Sequence, residues 1–135
     1  MKGLTWRSRE CGCESKTPEF QKFDTGAVRD RPQGVNRGRF DLVSPIAIET
    51  IAKISAEGMN EKYEPRNWEK GIPLSNYLDS LQRHLTKHLY GMIDEDHLGR
   101  ALWNLHSLVH TKKMIEVGNL PVDLDDLPNY GLTTE

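Results

Sequence analysis

Five leucines, Leu74, Leu78, Leu81, Leu85 and Leu89, recur at intervals of three and four residues, and this period limits the possible folds more than any other feature of the chain. A half-buried strand repeats every second residue, whereas a helix returns to one face at i, i+3, i+4 and i+7. The same helical period runs through Leu98, Ala101, Leu102, Leu105, Leu108 and Val109, and through Ile48, Ile51, Ala52, Ser55 and Met59. Boundary signals frame all three stripes. Ser44 and Pro45 suit the cap and first position of a helix start. Gly91 ends a second helix running from about Pro73 to Tyr90. Asp94 can cap a third, which should end between Glu116 and Gly118. Three short amphipathic helices bury little by themselves, so the expectation is an all-α helical bundle completed by further copies, a homo-oligomer of two or four chains.

The flanks carry no such period. Residues 1–38 read as an extended or flexible N-terminal arm, with turn chemistry along Asp24-Thr25-Gly26 and Arg31-Pro32-Gln33-Gly34. Residues 39–118 form the helical domain, and 119–135 an irregular acidic tail that Pro121 and Pro128 keep from forming a helix of any length. The tail's spaced Leu and Tyr residues are expected to lie on the bundle. Cys11 and Cys13 are too close for an unstrained mutual disulfide, and no second cysteine pair completes a zinc site, so both read as free thiols. A net charge of −2 argues against direct nucleic-acid binding. No apolar run reaches the roughly 20 residues of a membrane span, and Met1 to Glu10 lack the apolar core of a secretory signal; the expected location is cytoplasmic.

Residues 60–72 join the first two helices and are rich in Lys, Tyr, Arg, Asn and Trp. Lys62, Arg66 and Lys70, with Arg83 on the second helix, alternate with Tyr63, Asn67 and Trp68, a composition that suits a phosphate clamp with a flat surface for a base. His84 and His88 stand at i, i+4, the spacing that lets two imidazoles share a metal, and His106 and His110 repeat it. Asp79 flanks His84. On the third helix Glu95 and Asp96 occupy the start, where acids also suit the helix dipole, and His97, Ala101, Asn104 and Leu108 share one line. Asp96 or His97 is a candidate metal ligand, and Asn104 a candidate substrate contact. No Gly-rich phosphate loop and no nucleophile motif is present. Acids, imidazoles, cations and amides together suit an anionic ligand held with a divalent metal.

Several separate strings, Phe23-Asp24-Thr25-Gly26-Ala27-Val28-Arg29-Asp30, Gly38-Arg39-Phe40-Asp41-Leu42, Glu61-Lys62-Tyr63, Arg66-Asn67-Trp68-Glu69-Lys70-Gly71, Arg83-His84-Leu85, Glu95-Asp96-His97-Leu98, Ala101-Leu102-Trp103-Asn104 and Leu127-Pro128-Asn129-Tyr130, resemble the phage-type dATP/dGTP diphosphohydrolase N-terminal domain family. The resemblance spans roughly residues 20–130. It implies a MazG-like all-α bundle that splits purine deoxynucleoside triphosphates into monophosphate and pyrophosphate with Mg²⁺ or Mn²⁺, in the host cytoplasm if a phage encodes the chain. The usual E-x-x-E and E-x-x-D pairs are absent. Asp79 and His84 stand where the first is expected, and Asp96 or His97, followed by Gly99 or Arg100, where the second is expected. On this reading Glu49, Asp79, His84, Asp96 and His97 hold the metal, with Asp96, His84 and Asp79 acting in catalysis. Lys62, Arg66, Lys70 and Arg83 neutralise the polyphosphate, Trp68 and Tyr63 pack near the base, and Asn67 or Asn104 bonds base or sugar. The alternative is a non-catalytic nucleotide-binding or protein-interaction module.

Overall fold

Each apolar stripe forms a helix, but two of the three pack on faces rotated from those that the large aliphatic residues mark. The computed structural model describes residues 19–31 and 38–133; Cys11 and Cys13 lie outside the described residues. In chain order the structure contains strands β1 (Glu19–Lys22) and β2 (Val28–Arg31), then helices α1 (Pro45–Glu61), α2 (Leu74–Leu89) and α3 (His97–Glu116). Short 3₁₀ turns occupy Phe40–Leu42, Asn67–Lys70 and Val122–Leu124. The described residues are mostly helical, in agreement with the all-α expectation. By contact it divides into two units, Met1–Leu42 and Val43–Glu135.

In the first unit the segment read as extended chain and turn is an antiparallel hairpin, Glu19 opposite Arg31 and Lys22 opposite Val28. Gly26, at φ +88°, closes its loop, with its N–H donating to the Phe23 carbonyl at 2.9 Å. Arg39 and Asp41 pair through two parallel bonds of 2.8 and 2.7 Å.

In the second unit α3 packs mainly against α2 and also against α1. The Ser44 hydroxyl caps α1 by accepting from Ala47 N–H at 3.3 Å, with Pro45 at the first position. The face of α1 that is least exposed runs through Ala47, Thr50, Ile51, Ile54 and Gly58. This is one residue, about 100°, away from the expected line, and Ile48 and Met59 are exposed. On α2 the packed line is Leu74, Tyr77, Leu78, Leu81 and His84, while the last two leucines of the stripe, Leu85 and Leu89, turn to solvent. On α3 the buried residues are small or polar: His97, Gly99, Ala101, Ser107 and Thr111, with Ile115 near the end. Leu98, Leu105 and Val109 are exposed. Small side chains let helix axes approach closely, which explains the choice of face. A Cβ on Gly99 would come within 2.8 Å of Thr50 Cγ2 on α1.

Both helix ends expected to stop at glycine do so. Gly91 (φ +77°) follows α2 and Gly118 (φ +84°) follows α3, each conformation one that L side chains rarely adopt. The cap of α3 differs from the expectation. Asp96, not Asp94, accepts from Gly99 N–H, at 2.9 Å. The helix begins at His97, so only the residue before it can reach the orphan N–H three positions on.

The tail is tied down. Leu124 and Leu120 sit over Gly71, where φ +116° and the lack of a side chain admit them. The Asp126 carboxylate, 51 positions along the chain, accepts from Ser75 N–H (2.9 Å) and Ser75 hydroxyl (2.5 Å) and so serves the start of α2, whose own cap residue, Pro73, makes no side-chain bond. The two bonds from Ser75 lower the Asp126 pKa below its ordinary 3.8. A carboxylate with a depressed folded pKa stabilises above its unfolded pKa and loses that contribution as pH falls through the folded one. Asp126→Ala should therefore lower the melting temperature at pH 7, and its gap from wild type should close as the pH drops below about 3.8. Melting curves of both chains across that range check it; a gap independent of pH would show that the carboxylate charge plays no part.

Candidate metal centre

The turn from α2 into α3 gathers the ionisable groups of one cluster. His84 lies on the α2 face toward α3, three residues beyond Leu81 on the packed line, and burial lowers its pKa, partly opposed by the Glu95 carboxylate. His97 opens α3 and is 2 % exposed, its ring turned toward His84 of α2. Glu95 precedes the cap residue by one, and its carbonyl accepts from His97 N–H at 2.9 Å. That tight turn sets the two side chains toward one point.

Three atoms converge there: His84 Nδ1 and His97 Nδ1 are 3.0 Å apart, and Glu95 Oε1 lies 3.9 Å from the former and 3.6 Å from the latter. Among the described residues this is the one group of three His, Cys, Asp or Glu side chains with atoms close enough to share an ion.

A second layer orients the three. His97 Nε2 and Asp94 Oδ1 are 2.7 Å apart, and that bond depresses the Asp94 pKa. A carboxylate at Nε2 selects the tautomer with its proton there, which leaves the Nδ1 lone pair facing His84. Arg100 Nε stands 2.9 Å from Glu95 Oε2, the oxygen turned away from the imidazoles, and Arg100 also pairs with Glu57 of α1 at 2.8 Å. The carboxylate is thus held at one oxygen and free at the other.

Of the expected metal ligands, His84 and His97 are brought together, and three are placed elsewhere. Glu49 pairs with Lys53 on the exposed side of α1 at 2.9 Å. Asp79 pairs with Arg83 one turn along α2. Asp96 is occupied as the cap of α3. The imidazole that His84 meets is His97, not His88, which is exposed. Glu95 was not among the expected ligands, yet it stands with the two imidazoles. Its signal is the tripeptide Glu95-Asp96-His97: the orphan N–H groups of the first helical turn claim the Asp96 carboxylate and leave that of Glu95 free.

The expected substrate groups are also distributed. Arg66, at φ +63°, pairs with Glu69 at 2.8 Å, and Lys70 with Glu64 at 3.7 Å. With Glu61 counted beside those two acids, residues 60–72 hold three carboxylates against the three cations Lys62, Arg66 and Lys70, so the loop carries no excess of positive charge. Trp68 packs on α3, its ring 4.8 Å from His110, 5.3 Å from His106 and 5.9 Å from Trp103. Tyr77 supports it, donating its hydroxyl to the Trp68 carbonyl at 3.4 Å. Trp103 in turn donates to the Ser55 hydroxyl on α1 at 3.0 Å. Lys62 and Tyr63 are exposed, and Asn67 is half-buried. Asn104 donates its amide to the Arg100 carbonyl one turn back, at 2.7 Å.

Fold and cluster define a helical protein with a group of side chains able to hold a divalent metal. A family model described as dATP/dGTP diphosphohydrolase, N-terminal, matches residues 28–117, and the chain belongs to that family. No curated protein and no solved structure matches the chain. No helix among the described residues is long and apolar enough to cross a membrane.

His97 supports the fold as well as the cluster. Removing its fully buried ring leaves a cavity and strips Asp94 and His84 of a partner, so His97→Ala should cost roughly 2–4 kcal/mol. His88→Ala, at an exposed site, should cost no more than about 0.5 kcal/mol. Urea denaturation of the two variants compares them; equal small effects would remove His97 from the structural core.

Proposed function

We propose that the chain is a metal-dependent nucleoside triphosphate pyrophosphohydrolase acting on purine deoxynucleotides, converting dATP or dGTP to the monophosphate and pyrophosphate. The observation that carries this reading is the convergence of His84, Glu95 and His97 in a chain whose family is described as dATP/dGTP diphosphohydrolase. A divalent ion bound there would polarise a phosphoryl oxygen and lower the pKa of a bound water. His84 and His97 would hold it through Nδ1 and Glu95 through Oε1, with Asp94 and Arg100 keeping those atoms in place. Lys62, Arg66, Lys70 and Arg83 would neutralise the polyphosphate. Arg66, Lys70 and Arg83 are now paired with carboxylates at the surface, where such pairs contribute little, so exchange for phosphate is cheap. Tyr63, 57 % exposed, is better placed than the packed Trp68 to meet a base, and Asn67 would bond base or sugar. Asp79 remains beside Arg83 as a candidate for orienting it.

One observation favours a second reading. The cluster holds a single carboxylate, which suits a module that binds a nucleotide without splitting it. Incubation of the protein with dGTP or dATP and a divalent metal, followed by measurement of pyrophosphate, separates the two. The enzyme reading expects release of pyrophosphate that Glu95→Gln reduces by about a hundredfold or more, since loss of even an outer partner of a metal ligand costs roughly 10–100-fold in metal affinity or activity. Binding without release would install the second reading.

We also propose that the protein is a homo-oligomer. Leu98, Leu105 and Val109 of α3 are exposed, and Leu98 and Leu105 line an open groove with Leu81, Leu85 and Leu102. A row of exposed apolar side chains bordering an apolar groove is a surface that a second copy could cover. Light scattering should give a mass well above the 15.5 kDa of one chain, and Leu105→Glu should shift it toward the monomer. A wild-type monomer at micromolar concentration overturns this.

A further inference from the structure

We infer that the His84–Glu95–His97 cluster is a site for a first-row transition-metal dication, of the kind that prefers imidazole, and that it discriminates against Mg²⁺. This rests on the metal site of the proposed function but not on the reaction.

Size alone admits both kinds of ion. A triangle with sides of 3.0, 3.6 and 3.9 Å has a circumscribed circle of about 2.1 Å radius, so one point lies at that distance from all three atoms, the length of a Zn–N or Zn–O bond. Ca²⁺ is disfavoured by chemistry rather than size, because it takes about 6–8 oxygen ligands and two of the three donors here are nitrogens.

Donor chemistry decides between the rest. Mg²⁺ takes oxygen ligands, usually carboxylates and retained waters, in near-ideal octahedra. Two of the three donors here are imidazole nitrogens, which suit Zn²⁺, Co²⁺, Ni²⁺ and, less strongly, Mn²⁺. The surroundings reinforce this. Asp94 on the far nitrogen of His97 is the carboxylate–imidazole arrangement that raises the basicity of a metal-bound histidine. Arg100 beside Glu95 Oε2 leaves that carboxylate to bind through one oxygen, and it offsets part of the negative charge on which a hard, all-oxygen site relies. Carboxylates that could have enriched the site in oxygen are spent elsewhere: Asp96 on the helix cap, Asp79 on Arg83 and Glu49 on Lys53. Three protein ligands leave at least one position of a four-coordinate ion for water or a ligand oxygen, which is the pattern of a reactive rather than a purely structural centre.

The test uses the full chain, stripped with a chelator and dialysed. Co²⁺ is titrated while visible absorption is followed, and Zn²⁺ and Mg²⁺ are titrated by calorimetry. The expected result is one Co²⁺ and one Zn²⁺ per chain, an intense Co²⁺ spectrum of low coordination number, and Mg²⁺ binding at least a thousandfold weaker than Zn²⁺. His84→Ala and Glu95→Gln, both at partly exposed side chains, should lose the Co²⁺ spectrum while keeping the wild-type helix content. Asp96→Asn should keep it, because asparagine caps a helix as well as aspartate does. The inference is overturned if the folded chain binds no stoichiometric Co²⁺, if Mg²⁺ competes on equal terms, or if His84→Ala binds as wild type does. Pyrophosphate release from dGTP with Mg²⁺, measured in parallel, keeps the two ideas apart. Mg²⁺-supported hydrolysis without Co²⁺ binding sinks the metal assignment and leaves the reaction standing. Co²⁺ binding without hydrolysis under any metal supports the assignment and sinks the reaction.

Discussion

The start of α3 is the point on which the rest of the structure depends. Between Leu89 and Gly99 the chain must leave α2's end, cap a new helix, bury an imidazole and pass close under α1. Asp96 satisfies the Gly99 N–H, and Gly99 has no side chain to obstruct either that carboxylate or Thr50. His97 is enclosed because the helix begins where it does. Moving the start by one residue would turn His97 out of the core and carry its Nδ1 away from His84. The packing of three helices and the geometry of the cluster are therefore one constraint.

How much of this was legible in the amino-acid order follows from which forces leave a periodic mark. The existence of the three helices and their glycine stops did, since local backbone preferences act over a few residues and are written in those residues. The packed faces did not. Reading Ile48 and Met59 as inward assumed that the largest aliphatics are buried, whereas α1 and α3 come together at Thr50 and Gly99 and at Ser55 and Trp103. Where helices approach closely, volume excludes bulk, and the leucines are left on the outside. In the proposed homo-oligomer the exposed Leu98, Leu105 and Val109 would be covered by a second copy.

The cluster was legible in part for a similar reason. His84 and His97 were each singled out, but the spacing rule that paired His84 with His88 describes one helix, and the contact that formed joins two. Thirteen residues and a reversal of chain direction separate the partners, which no period records. Asp96 drew attention as the acid beside His97, yet a carboxylate directly before a helix has a stronger claim on it in the unpaired N–H groups of the first turn. Glu95, one residue earlier, is free of that claim and is the one that turns to the imidazoles. Trp68 shows the same competition: exposed in a polar loop, it could face a ligand, but His106, His110 and Trp103 offer it apolar and edge-to-face contacts that bury part of its ring.

Charge closes the argument about what the cluster can do alone. Glu95, Asp94 and Glu57 carry three negative charges against the one positive charge of Arg100. A bound dication would bring that group near neutrality and leave no surplus to attract a triphosphate. In the proposed reaction the attraction must then come from the exposed cations of the 60–72 loop and from Arg83, whose present carboxylate partners are all neighbours in sequence and all on the surface. Surface pairs of this kind are close to isoenergetic with solvated ions. The same side chains can therefore rest as ion pairs when no anion is present and turn to phosphate when one arrives, with little cost to the fold in either state.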